Sequence, residues 1–413
     1  MTNPRLRFKK PDGAAYPDWE TVQLGDIATR VTRKNKDGET DVPLTMASIE
    51  GLVDQRSYFG KTIASKDMSG YFLLKNGEFA YNKSYSAGYD YGAIKRLDKY
   101  DRGALSTLYI CFALNDLSWS DFMVQYFDSL KWNAEMPKIC AEGARNHGLL
   151  NVAPTDFFKI SMSLPTDPEE RDRIVAGLRR ITERIECQSL RVAALETQKK
   201  ELLRQVFARE IRFKDENGQD YPEWEEMTVG QLFYRKNARN RNGDNTNVIT
   251  NSAEFGLIPQ RDYFDKNIAV DGKTENYYVI EKGDFVYNPR KSVTAPFGPF
   301  NCYLLEDAGI VSPLYTCLTP LDHRYSAYLL WYFQSPYWYD YIRLNGAQGG
   351  ARHDRVGMTN ELMDGIPVLL PSLPEQKRIA DFFTALDAQI ENERALLEDW
   401  RQLKKGLLQQ MFV

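Results

Sequence analysis

The chain has 413 residues, 43% hydrophobic and 27% charged, which fits a folded protein of two to three domains. No run approaches the roughly 18 apolar residues of a membrane-crossing helix. The N-terminal MTNPRLRFKKPDG lacks an apolar leader core, and five scattered cysteines without a CxxC argue against a disulfide framework or zinc site, so a reducing cytoplasm is expected. The net charge of −4 is not that of a uniformly basic nucleic-acid binder; residues 210–371 carry 16 Lys+Arg against 22 Asp+Glu, so any nucleic-acid contact must come from local patches.

The first segment, RLRFKKPDGAAYPDWETVQLGDI, returns 205 positions later as EIRFKDENGQDYPEWEEMTVGQLF. The match continues. Gly51-Leu52 meets Gly256-Leu257, and Tyr58-Phe59 meets Tyr263-Phe264. At an offset of 206, Gly77, Phe79, Tyr81 and Asn82 meet Gly283, Phe285, Tyr287 and Asn288, while Ser106, Leu108, Tyr109 and Cys111 meet Ser312, Leu314, Tyr315 and Cys317. A near-constant offset over two hundred residues means one fold used twice, not a solenoid of short units.

Within each copy, residues 1–165 and 210–371 mix short β-branched and aromatic runs with turn signals such as KNG, EKGD and RNG. WSDFMVQYFDS and YSAYLLWYFQS read as amphipathic helices. These parts are expected to be mixed α/β globular domains, with a strand order that cannot be read. Residues 166–209 and 372–413 each read as one long helix. Apolar residues recur at Ile174, Leu178, Ile181, Ile185, Val192, Leu195, Leu202 and Val206, and at Ile379, Phe383, Leu386, Ile390, Leu397, Trp400, Leu407 and Met411. With Gln188 and Lys199, matched by Glu393 and Lys404, the steps alternate between three and four, which is a heptad seam. Thr166–Glu169 and Ser372–Glu375 read as capping boxes. A seam this long needs a cover, and its own duplicate is the simplest one. Helix 1 runs through QVFAREIRFKD into the second domain; the chain ends QQMFV and begins PRLRFKK. Joining the ends would recreate the internal junction, so the termini are expected to lie close together in a ring of pseudo-two-fold symmetry.

The helix entry LLPSLPEQKRIADFF, its weaker twin SLPTDPEERDRIVAG, the paired YPxW openings and the G-A-R stretches at 143–145 and 350–352 together resemble the specificity subunit of type I DNA restriction-modification systems. The resemblance covers essentially the whole chain; the first copy departs from it with Glu170 where the second has Gln376. It implies an α+β protein of two tandem target recognition domains, each followed by a long helix, the two helices forming an antiparallel coiled coil. Each domain would read one half of a split site in double-stranded DNA, and the helices would set the spacing. Two methyltransferase subunits would dock on this scaffold, with S-adenosylmethionine bound in them and no cofactor here. A motor-nuclease subunit could join, and no membrane partner is implied.

Three pairs of stretches offer phosphate and base contacts. The first holds Arg33, Lys34 and Lys36, matched by Arg235, Lys236 and Arg239. The second holds Lys83 and Tyr85, matched by Arg290 and Lys291. The third, glycine-rich pair holds Arg145 and Arg352, with His147 and His353 beside them. Tyr16, Pro17 and Trp19 and their twins are shared, and a shared feature is a poor reader of different half-sites, so packing is expected of them. No catalytic centre is expected. The adenine-methyltransferase motif [DNS]-P-P-[YF] and the phosphate loop GxxxxGK[ST] are absent. Asp364 with Glu375-Gln376-Lys377 mimics a nuclease pattern, but Glu375 reads better as a helix-capping residue. The alternative is a protein-interaction scaffold whose domains no longer read DNA; the acidity of residues 210–371 favours it.

Overall fold

The computed structural model describes residues 3–48, 50–60, 64–140, 150–263, 274–346 and 354–413. The chain divides into two compact units, residues 1–189 with 395–413 and residues 190–394. In each unit, short strands with consecutively buried central members build one four-stranded antiparallel sheet. Its order in the first unit is Ala28–Arg30, Ile110–Leu114, Phe79–Asn82, Ala93–Arg96. In the second it is Phe233–Arg235, Thr316–Pro320, Phe285–Tyr287, Phe300–Cys302. Each sheet is accompanied by the same two-stranded pairs, Leu44–Ala47 with Gly51–Asp54 and Phe72–Lys75 with Arg102–Leu105, or Ile249–Ser252 with Gly256–Pro259 and Tyr278–Ile280 with Gly309–Val311. The two aromatic helices expected from sequence are Ser120–Asp128 and Ser326–Gln334.

The duplication reaches single hydrogen bonds. Trp132 and Trp338 are fully buried, and their indole N–H groups donate to Phe127 O and Phe333 O, both at 3.1 Å. A Trp buried without a partner for its N–H would forfeit a hydrogen bond, and the same carbonyl solves this in both copies.

The long helices span Pro168–Phe207 and Leu373–Met411; forty residues at 1.5 Å each make the first about 60 Å long. Every expected seam position is buried or half-buried, including Gln188, Lys199, Glu393 and Lys404. In the first unit Ile174 and Leu178 share a core with Leu408, Met411 and Phe412. In the second, Leu203, Val206 and Phe207 share one with Ile379, Ala380 and Phe383. Ion pairs Arg191–Glu393 and Lys199–Asp387 run in opposite residue order, so the paired helix segments of this unit are antiparallel.

The helix starts differ from expectation. Neither capping box forms. Asp167, not Thr166, caps the first helix, its Oδ1 accepting from Glu169 N at 3.0 Å, and Thr166 donates to Asp18 O instead. Pro168 takes the first helical position, where its missing N–H costs nothing. Ser372 Oγ is buried without a hydrogen-bond partner.

Glu375 is fully buried and accepts from Trp224 Nε1 at 2.9 Å and from Arg212 Nη2 at 3.1 Å. Its counterpart is Glu170, equally buried, which accepts from Trp19 Nε1 at 3.0 Å and Arg7 Nη2 at 2.7 Å. Glu170 therefore matches Glu375, not Gln376: at the helix start the offset is 205. The YPxWE segment is thus a packing device. Its Trp anchors the first turn of the long helix, and its backbone carbonyls hold the same Arg, Pro17 O at 2.6 Å and Pro222 O at 2.7 Å.

The close approach expected at the termini is present in the first unit: Leu6 N donates to Gln410 O at 3.0 Å. Ile211 N donates to Gln205 O at the equivalent internal junction.

Candidate nucleic-acid interface

The first pair of stretches is built into the frame. Arg33 Nη2 binds both oxygens of Glu78 at 2.7 and 2.9 Å. In the second unit the matching acid, Asp284, is bound by Lys236 at 2.7 Å, which also reaches Glu281 at 2.6 Å. Burial alone would lower the Lys236 pKa, but these carboxylates outweigh it and raise it. Lys34 sits 3.9 Å over the Phe72 ring and donates to Gly70 O; Arg239 sits 4.4 Å over the matching Tyr278 ring. Arg235 binds Asp364 at 2.7 Å. Asn35 and Asn240 close the same six-residue turn, each accepting from a backbone N–H five residues on and donating back to that residue's carbonyl. A cation held this way must abandon its partner to reach a phosphate, and a buried acid left alone costs several kcal/mol, on the order of 3–5. Of the six residues, Lys36 and Arg239 are exposed and in no ion pair among the described residues, and Arg239 is held instead by the Tyr278 ring and Asn276 O.

The second pair lies on hairpin loops leaving the central sheet. Each loop is held at the same points. Asn82 Oδ1 accepts from Ser84 N at 3.0 Å, and Asn288 Oδ1 from Arg290 N at 3.0 Å. The buried hydroxyls of Tyr81 and Tyr287 donate to Tyr91 O and Phe297 O, and burial pushes both phenols far above their ordinary pKa. At the far end, Gly92 has φ 79° and Gly298 φ 85°; a Cβ would lie 2.0 Å from Asn82 O or 2.1 Å from Asn288 O. Only glycine fits there. These glycines went unnoticed in the sequence, although their offset of 206 marks them. Between the anchors, Tyr85 is 62% exposed and the Arg290 side chain 69%. Lys291 is exposed, and Lys83 is half-buried.

The third pair, with Arg145, His147, Arg352 and His353, lies outside the described residues. The backbone that follows it meets the second pair at equivalent points: Leu150 N donates to Lys83 O and Val356 N to Pro289 O, both at 2.9 Å. Lys291 N also donates to Asp354 O, and Arg290 bridges to Arg355. So in each unit the structure brings the second stretch to the edge of the third, while the first serves the strand framework. Among the described residues no group of His, Cys, Asp and Glu could hold a metal ion. Burial pushes the Cys111, Cys302 and Cys317 thiols up to about 12, the opposite of a nucleophilic cysteine. Among the described residues no helix is long and apolar enough to cross a membrane.

The repeated sheets, their anchored hairpin loops and the two long helices define a duplicated α+β fold. Residues 221–399 match the family Type I restriction modification DNA specificity domain. Solved structures are also similar. A chain of the structure concerned with complex assembly and conformational transition of the type I R-M system is 17% identical, with a TM-score of 0.55 over 95% of this chain and 97% of that one. The S subunit of a type I restriction-modification system from M. genitalium is 14% identical over 100% and 99%, TM-score 0.48. The HsdS subunit from Thermoanaerobacter tengcongensis is 17% identical over 98% of each, TM-score 0.44. No curated protein matches. Residues 221–399 thus resemble a type I restriction modification DNA specificity domain, and the chain as a whole shares its fold with a solved chain of a type I R-M system.

Proposed function

We propose that the chain reads a bipartite, asymmetric target in double-stranded DNA, one half-site through each recognition domain (1–165 and 210–371), and carries two methyltransferase subunits that methylate it. The observation that supports this reading is the pairing of equal frames with unequal loops: the anchors at Asn82 and Gly92 repeat at Asn288 and Gly298, while the exposed residues between them differ in charge and shape. A duplex offers two half-sites to a duplicated protein, and differing loops suit differing halves. The long helices at 166–209 and 372–413 are the proposed spacer. The methyltransferase partners supply S-adenosylmethionine and much of the positive field that a chain of net charge −4 lacks. A motor-nuclease subunit joins the same scaffold for restriction, and the complex acts on host DNA in the cytoplasm.

The acidity of residues 210–371 favours a second reading, a protein-interaction scaffold that no longer reads DNA. Duplex binding by the complex with its methyltransferase partner, titrated with salt, separates the two. A reader loses non-specific affinity steeply but keeps its preference for one sequence. A scaffold shows no preference at any salt concentration.

A further inference from the structure

We propose that residues 83–91 and 289–297 are interchangeable specificity cassettes on one constant frame, and that in the second cassette Arg290 and Lys291 select guanine. This rests on the DNA-reading function proposed above and narrows it to nine residues in each unit.

The frame enters the loops themselves. Ser86 N donates to Tyr89 O, as Ser292 N does to Ala295 O; Gly92 N donates to Tyr89 O, as Gly298 N does to Ala295 O. The tip between these bonds differs: Gly88 has φ 79° where Thr294 has no positive φ, and Tyr89 N donates to Ser86 O where Ala295 N donates to Ser292 Oγ. The loop is nonetheless pinned at the same backbone points in both units. Yet KSYSAGYDY and PRKSVTAPF share only the serine that starts the turn, Ser86 or Ser292. A backbone fixed at both ends and across its tip, carrying different side chains, is what base reading by exchangeable residues requires. The rest of the loop's surroundings reinforce this. Behind the second cassette Asn251 is buried and donates to Val286 O at 2.7 Å, and Asn288 Nδ2 donates to Asn251 O at 3.1 Å.

The outward side chains set the chemistry. Arg290 and Lys291 offer only donors, and the guanine edge in the major groove offers two acceptors, O6 and N7. The nearest carboxylate to Arg290 is Asp354 at 3.9 Å, and both side chains are more than half exposed. Such a pair is worth little in water and does not tie the Arg down. The equivalent positions in the first cassette are Ser84 and Tyr85, which carry hydroxyls and no fixed charge, so the first half-site is read by a different chemistry. Val293, fully exposed at the tip where the first cassette has Ala87, presents only methyl groups to a base.

The test uses the full chain with its methyltransferase partner and maps methylated adenines in host DNA. For Arg290→Ala with Lys291→Ala, the expected result is a motif relaxed at one or two G·C positions of one half-site. Discrimination there should fall by about tenfold or more, the scale of one bidentate base contact, with the other half-site and the spacing unchanged. Replacing residues 83–91 by the sequence of 289–297 should change the other half-site alone. An unchanged motif in both variants overturns the proposal. If the double variant methylates nothing, binding of its purified complex to duplexes with single substitutions in the parent motif decides. Loss of discrimination confined to G·C positions of one half-site supports the cassette; weakening that is uniform across all duplexes overturns it. If the unsubstituted chain itself directs no motif, the functional reading fails instead.

Discussion

The helix entrances and the hairpin loops are both duplicated, and they behave in opposite ways. At the entrances Arg7, Trp19 and Glu170 repeat as Arg212, Trp224 and Glu375, with the same atoms bonded. In the loops the anchors repeat, but Ser84 and Tyr85 become Arg290 and Lys291. Residues that agree between the copies hold the fold; residues that differ on an agreed backbone are free to specify a target.

The sharpest challenge to this comparison is at the entrances. Glu375→Ala leaves the Arg212 guanidinium and the Trp224 N–H without their buried partner, an expected loss of about 3 kcal/mol of stability by denaturant unfolding. Glu170→Ala is expected to cost a similar amount; a large inequality would break the equivalence of the two frames. Next come the loop glycines. Gly92→Ala and Gly298→Ala each force a Cβ into a carbonyl oxygen at positive φ, for about 2 kcal/mol of strain, and each should blur one half-site only, read from the methylated motif.

Smaller effects are expected in the first pair of stretches. Lys34→Ala and Arg239→Ala each remove a cation from an aromatic face, about 0.5–1 kcal/mol. Both should leave the methylated motif intact. A changed motif would return these residues to the reading surface.

The smallest effect lies at one seam position occupied by lysine in both helices. Lys199 lies over the Trp331 ring and pairs with Asp387. Lys404 has its pKa lowered by burial, which the attraction of Asp128 does not offset. A lysine whose folded pKa is depressed costs stability while it is charged, and the cost fades as pH rises through that pKa. Lys199→Met is expected to lower stability by up to about 1 kcal/mol, whereas Lys404→Met should match or exceed the parent protein at neutral pH. The opposite order in thermal unfolding would contradict the difference between the two sites.

Much of the fold was legible because its signals are periodic. The seam from Ile174 to Val206 follows from steps of three and four, and the repeat from a constant offset. Strand order was not legible: pairing Ala28–Arg30 with Ile110–Leu114 is a contact across some eighty residues that no local pattern encodes. The capping boxes misled for a related reason. Ser372 and Glu375 have the right spacing, but Trp224 and Arg212 arrive from far away in sequence and claim Glu375. At the candidate site, residue type found the basic stretches but could not tell a paired cation from an exposed one. Arg33 and Arg290 look alike in sequence; only the fold places Glu78 beside the first and leaves the second facing water.

The central claim is that this chain reads two different half-sites. Single-molecule sequencing of host DNA, with the gene present and deleted, tests it most directly. The account predicts one bipartite, asymmetric motif with methylated adenine that disappears on deletion. Persistence of every methylated motif after deletion would contradict it.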